Sequence, residues 1–248
     1  QLAEQRAPGE PLIQVRDAET GVVEIVTDDM PSLVEAVLAA IGRSGGGVGR
    51  LVHPIVVVRR DGSGKLAEVV ADADPAAPPP GALVESWIHV DLDGAAPAGL
   101  AAELASVLAD VRDVVDDSGS MVDKAIEVAA AMPTRPVTAD GTSPGDVGEL
   151  LRWMADGNFT FLGYRYQPVA GGRFEPEPGL GLLRRHVGLA AKVAPGAAPA
   201  DAELGLLLIT RATVPSSLRP VHPYYVAVRS TDAEGRLVGE HRIVAALT

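Results

Sequence analysis

The chain has 248 residues, a formal net charge of −12, 47% hydrophobic but only 4% aromatic residues, and no cysteine. That length allows one large domain or two ordinary ones, and the missing cysteines exclude disulfide frameworks, thiolate metal sites and a cysteine nucleophile. The acidity, relieved only by the short spot Arg184-Arg185-His186, argues against a nucleic-acid interface and against binding to an anionic membrane surface.

No apolar run approaches the roughly 18 residues of a membrane span, and no leader pattern is visible. A cytoplasmic setting is therefore expected. The chain begins at Gln1 and stops at Thr248, just after an apolar run, as expected of a piece of a longer protein.

Residues 1–11, polar and carrying Pro8 and Pro11, are expected to be loose. Leu12–Asp17 and Val22–Thr27 flank a Gly-containing turn, a hairpin signal. Asp28, Asp29 and Pro31 follow at once. Asp29 stands where an N-cap is expected and Pro31 just inside a helix, where its missing N–H costs nothing. Leu33, Val34, Val37, Leu38 and Ile41 then form one helix face, and Gly45-Gly-Gly47 ends it. Leu51–Val58 reads as a strand limited by Pro54 to an edge or bulge. Asp61-Gly-Ser-Gly64 reads as a hairpin turn into Lys65–Val70, residues 72–81 as an excursion loop, and Val84–Asp93 as an alternating strand. A long helix from Pro97 to about Asp116 and a second over about 121–131 complete a β-β-α-β-β-β-α-α order. The economical fold for it is a split β-α-β, ferredoxin-like sheet.

Residues 133–144, rich in Pro and Gly, read as a linker. Beyond it come a helix over about 144–156, a strand over 159–166, a short strand near 179–184 and an Ala/Pro-rich excursion over 187–203. Strands at 204–211, 224–230 and 241–247 follow. One helix with about five strands implies an antiparallel sheet covered on one face, in the manner of PAS or GAF sensor folds. The fold class is thus α+β: a ferredoxin-like domain over 12–132 and a PAS/GAF-like sheet domain over 145–248.

Motifs for catalysis are scarce. Asp61-Gly-Ser-Gly-Lys65 lacks the upstream Gly and the following Ser/Thr of a phosphate loop, and Gly45-Gly-Gly-Val-Gly49 has Arg50 where a dinucleotide turn needs its last Gly. No G-x-S-x-G elbow occurs. His89 and Asp91 share a strand face and could form a metal or acid–base pair. Trp87, Trp153, Phe159, Phe161, Tyr164, Tyr224 and Tyr225 either pack cores or line a small-molecule cavity. Arg165 and Arg211 could pair a ligand carboxylate or one of the many surface acids.

The Asp28-Asp29-Met30-Pro31-Ser32-Leu33 turn is the strongest binding candidate. First-turn N–H groups of a helix carry partial positive charge and suit a carboxylate, and the two Asp side chains suit an ammonium, so together they suit a free amino acid. The competing reading is an ordinary capped helix.

Thr27-Asp-Asp-Met-Pro-Ser-Leu-Val34, Leu51-Val-His-Pro54, Glu85-Ser-Trp-Ile-His89, Leu150-Leu-Arg-Trp-Met-Ala-Asp156, Asn158-Phe-Thr-Phe-Leu-Gly-Tyr-Arg165 and Val238-Gly-Glu240 occur in this order. Together they resemble the N-terminal regulatory region of the large bacterial NAD-specific glutamate dehydrogenases. The resemblance implies ACT-like and PAS-like domains ahead of a distant catalytic region that oxidises glutamate to 2-oxoglutarate and ammonia. NAD would then be bound by the parent enzyme and no cofactor by this stretch. In ACT domains the pattern Asp-x-Pro-Gly-Leu opens the first helix; Asp29, Pro31 and Leu33 match it, and Ser32 replaces Gly.

The expectation is a non-catalytic regulatory and oligomerisation region with no metal. Its partners would be the rest of the parent enzyme, other copies of itself and a free amino acid effector held by Asp28, Asp29, Met30, Ser32 and Leu33. The alternative is a purely structural assembly module.

Overall fold

The computed structural model describes residues 2–17, 19–132, 141–175, 177–186, 205–212, 216–232, 234 and 236–248. Most of the expected linker 133–144 and all of the excursion 187–203 lie outside them. The chain divides into two compact units, residues 1–112 with 217–219 and residues 113–216 with 220–248.

The first unit holds β1 (Leu12–Arg16), β2 (Val22–Asp28), α1 (Leu33–Arg43), β3 (Val48–Val52), β4 (Ile55–Arg60), β5 (Leu66–Val69) and β6 (Leu83–Leu92), and α2 (Leu100–Ala131) begins in it. The strands form one sheet in the order β1-β2-β6-β4-β5, with β3 also on β6. All pairings are antiparallel. The expected strand over 51–58 is two strands, because Pro54 cannot donate to a ladder. β3 therefore pairs with the far half of β6 and β4 with its near half. β1, which comes before the β-α-β core, supplies the edge beside β2.

Strand alternation sorts the side chains into two layers. Val23, Ile25, Ile88 and Val90 are buried on one face. The apolar stripes of α1 (Leu33, Val37, Ile41) and of the start of α2 (Leu104, Leu108, Val111) are buried as well.

The opposite face is ionic. Asp28 and Glu85 are directly paired across the β2–β6 ladder, where like charges repel. Arg6 resolves this: its Nη2 lies 2.5 Å from Asp28 Oδ1 and 2.8 Å from Glu85 Oε1. Arg60 donates to both Glu85 oxygens at 2.7 and 2.8 Å, and Trp87 Nε1 donates to Oε2 at 3.0 Å. Burial alone would raise the Glu85 pKa. The hydrogen bonds from Arg60, Trp87 and Arg6 outweigh it and hold the carboxyl below its ordinary value.

Residues 2–10, expected to be loose, are thus tied to the sheet. They contain a 3-10 turn at Leu2–Glu4, a bridge from Gln5 to Lys65, and an Arg6 side chain with no exposed surface.

α2 is one helix of 32 residues where two are expected, and the division between the units falls inside it, between Arg112 and Asp113. Its buried positions continue in helical period through Leu104, Leu108, Val111, Val114, Asp117, Met121, Ala125 and Val128. The step at Ser118-Gly119-Ser120 costs about 1 kcal/mol in propensity, too little to break a helix with an unbroken buried stripe.

In the second unit α3 (Pro144–Trp153) is followed by a wide turn, Met154–Asn158, and then by β7 (Phe159–Ala170), β8 (Arg173–Phe174), β9 (Leu180–Gly181), β10 (Leu207–Arg211), β11 (Tyr224–Thr231) and β12 (Leu237–Leu247). These six strands form an antiparallel sheet in the order β10-β11-β12-β7-β8, with β9 also on β7. The whole is α+β, two antiparallel-sheet units. No helix among the described residues is long and apolar enough to cross a membrane.

Two outcomes test this account. Glu85→Gln strands two buried guanidinium groups, so denaturant unfolding should show a loss of about 3–5 kcal/mol. Because the folded-state pKa of Glu85 is depressed, its contribution is complete above the unfolded-state value of about 4.3 and fades as pH falls through the folded one; the wild-type chain should lose stability over that acid range more steeply than Glu85→Gln. Gly119 is exposed, and a Cβ there meets nothing within 4 Å, so Gly119→Ala should stabilise by about 0.5–1 kcal/mol in thermal unfolding.

Candidate functional site

The β2–α1 turn is built around Ser32. It takes φ 64° and ψ 11° at the N-cap, and its side chain caps nothing. Left-handed backbone is costly for any residue with a Cβ, and this is the position where ACT domains carry Gly. The turn therefore keeps its shape at some strain. It also starts the helix at Leu33, later than expected. Pro31 lies outside the helix and Asp29 is not its cap.

The five candidate residues fall into three settings. Asp28 is spanned by Arg6 and by Arg112, whose Nη2 is 2.7 Å from Oδ2. Met30 and Leu33 are buried, at 9% and 2% exposure. Asp29 is exposed and Ser32 is half-buried.

Two residues that the sequence did not single out for this turn fix Asp29. Ser86 donates its hydroxyl to Asp29 Oδ1 at 2.5 Å, and His53 Nε2 lies 2.8 Å from the same hydroxyl oxygen. Since the Ser86 proton is given to Asp29, His53 must donate. Beside Ser86 in the ladder, Thr27 is fully buried and its hydroxyl has no hydrogen-bond partner. Spacing along the chain held no trace of this cluster, because His53 and Ser86 reach the turn only through strand pairing.

The other candidates divide. His89 does meet Asp91, with Nε2 3.0 Å from Oδ1, and Glu24 lies 3.5 Å from Nδ1. The bond from His89 and the pairing with Arg50 hold the Asp91 carboxyl below its ordinary pKa. No group of three residues able to hold a metal occurs among the described residues. Trp153, Phe159 and Tyr224 form an edge-to-face series 5.6 and 5.7 Å apart. Arg211 stacks on Tyr224. Tyr164 is buried against His241, and burial pushes its hydroxyl pKa up to about 12.

The sheet and its strand–turn–helix entry lie in the part of the chain that the family comparison matches: residues 1–108 match the family "Glutamate dehydrogenase, ACT1 domain". The chain is also 32% identical to the NAD-specific glutamate dehydrogenase of Mycobacterium tuberculosis over 98% of its own length, and 30% identical to that of Pseudomonas aeruginosa over 91%. A shorter match, 34% over 57% of the chain, joins it to the enzyme of Halomonas elongata. The chain is thus similar to the N-terminal, ACT1-containing region of the large NAD-specific glutamate dehydrogenases; the ACT1 match covers residues 1–108, and the chain spans 15% of the length of the first two relatives.

Neither glycine-rich turn fits the dinucleotide those names imply. A Cβ on Gly47 would stand 2.7 Å from Asp93 Oδ2, and one on Gly49 2.9 Å from Oδ1, so a carboxylate occupies the ground where a pyrophosphate would need N–H donors. The Asp61–Lys65 turn is closed on itself by Asp61 Oδ1, which accepts from the Ser63 and Lys65 backbone.

The strained turn makes a prediction of its own. Ser32→Gly should leave stability equal or raise it by up to about 1 kcal/mol, whereas Ser32→Val should cost about 1–2 kcal/mol, both read by chemical denaturation.

Proposed function

We propose that this chain is a non-catalytic regulatory and oligomerisation region of its parent enzyme, and that the β2–α1 turn senses a free amino acid. The parent enzyme would carry out the NAD-dependent oxidation of L-glutamate to 2-oxoglutarate and ammonia in the cytoplasm, with chemistry and NAD handled outside this chain. The observation that carries the reading is Asp29, exposed and oriented by Ser86 beside a helix start that no side chain caps. Free first-turn N–H groups would hold the effector's carboxylate and Asp29 its ammonium. Asp28 would act through Arg6 and Arg112, and Met30 and Leu33 would set the apolar floor. An effector that binds one state of the enzyme more tightly shifts the equilibrium by that difference, typically about 1–3 kcal/mol. The antiparallel sheet behind α3 supports a PAS-like second domain.

A purely structural reading is favoured by a different observation. Val52 and Val69, which the registers put on the ionic face of the sheet, are 47% and 49% exposed, and exposed apolar groups of this kind suit contacts between copies.

Calorimetric titration with a panel of amino acids, glutamate and aspartate included, separates the two. Sensing predicts saturable binding by at least one of them, lost in Asp29→Ala. A flat panel with folded protein would sink it and leave assembly, which dilution in an ultracentrifuge would then have to show.

A further inference from the structure

Three strands bring a row of side chains to the β2–α1 turn. Thr27 on β2 pairs with Ser86 on β6, and Ser86 pairs in turn with Ile55 on β4. Cross-strand partners share a face, with Cβ atoms ~4.5–5.5 Å apart, so the three stand side by side. Ser86 is buried and gives its proton to Asp29. Its two neighbours contrast. Thr27 is fully buried, and its hydroxyl has no hydrogen-bond partner. Ile55 is 45% exposed, whereas Val57, the next residue of β4 on the same face, is 3% exposed and belongs to the core.

A buried hydroxyl without a partner is costly and asks for a reason. This one lies beside the Ser86–Asp29 bond, on the face where an ammonium held by Asp29 would sit. It therefore points to a ligand on grounds separate from the free N–H groups of the helix start. Ile55 supplies the other half. A large aliphatic side chain left half in water beside Ser86 is apolar area that an aliphatic ligand group would cover.

Charge narrows the class. A second carboxylate on the effector would need a cation, and the basic groups nearby are committed. Arg6 and Arg60 are held by Glu85, and Arg6 and Arg112 by Asp28. From Asp29 to the far end of α1 the first basic residue is Arg43, which pairs with Glu103. The first turn of α1 adds only Glu35, which is exposed and acidic.

We propose that the amino acid read by the β2–α1 turn has a branched aliphatic side chain (valine, leucine or isoleucine) and that Ile55 selects it; this rests on the reading of the turn as a sensor. The ammonium goes to Asp29, with the unused Thr27 oxygen on the same side. The carboxylate takes the first-turn N–H groups. The side chain lies on Ile55. Glutamate and aspartate are turned away, because their second carboxylate meets Asp29 and Glu35 with no counter-charge. The effector is then chemically distinct from the glutamate that the parent enzyme would oxidise.

Calorimetric titration of the folded chain with leucine, isoleucine, valine, alanine, lysine and glutamate, at fixed ionic strength, tests this. At least one branched amino acid should bind about tenfold more tightly than alanine, lysine or glutamate. Ile55→Thr keeps a β-branched residue at a half-exposed strand position. It should lose that margin while binding alanine as the wild type does. Ile55→Lys should bring glutamate up to the level of leucine or above it. A panel with no binding at all sinks the sensor reading and this proposal together. Binding that is lost in Asp29→Ala, but in which alanine, lysine or glutamate equals the branched amino acids, keeps the sensor and overturns the class assigned here. A preference that survives in Ile55→Thr overturns it too. If Ile55→Thr fails to fold, an unchanged preference in Ile55→Lys does the same.

Discussion

Two carboxylates set side by side in the central ladder of the first sheet are the constraint around which that unit is arranged. Asp28 and Glu85 are register partners at the point where β2 turns into α1, and neither can be ionised there at low cost without a cation between them. Arg6 is that cation, and Arg60 and Trp87 complete the shell around Glu85. Arg112 reaches Asp28 from α2. One buried carboxylate thus gathers the leading segment, β4 and β6, and its neighbour gathers α2, all at the mouth of the turn that carries Asp29. The position of the turn depends on that ionic layer as much as on the apolar core behind it.

The parts legible in the sequence were those with local signals. The β1–β2 hairpin, the apolar stripe of α1, the alternating β6 and the long strand of the second sheet all follow from periodicity and turn chemistry. Arg6 carried no signal, since it sits between polar residues and Pro8 and its partner is 79 positions away. The break in α2 was expected from local composition and was overridden by a buried stripe that continues past Gly119. The helix start was misplaced because Asp and Pro are good capping residues, while Ser32 in a left-handed conformation is a poor one that only the turn's geometry demands. Within the candidate site, Asp29 could be read from the sequence but its orienting partners Ser86 and His53 could not, since pairing of three separate strands brings them together.

The two units treat buried charge in opposite ways. In the first, each carboxylate of the ionic layer meets a guanidinium and the layer is closed. In the second, Arg229 and Arg242 share one glutamate, and Arg165 lies across the ladder from Arg242 with no carboxylate of its own among the described residues. The first arrangement suits a platform that holds one shape.

The distance in sequence between Arg6 and Glu85 also sets an order of events during synthesis. At ~5–20 residues per second the ribosome needs roughly 4–16 s to deliver Glu85 after Arg6. Through that interval β1, β2 and α1 exist without β6, and Asp28 has no neighbour to repel. β6 is therefore the last strand to join, and until it does the nascent sheet stays open on the side of β2 away from β1.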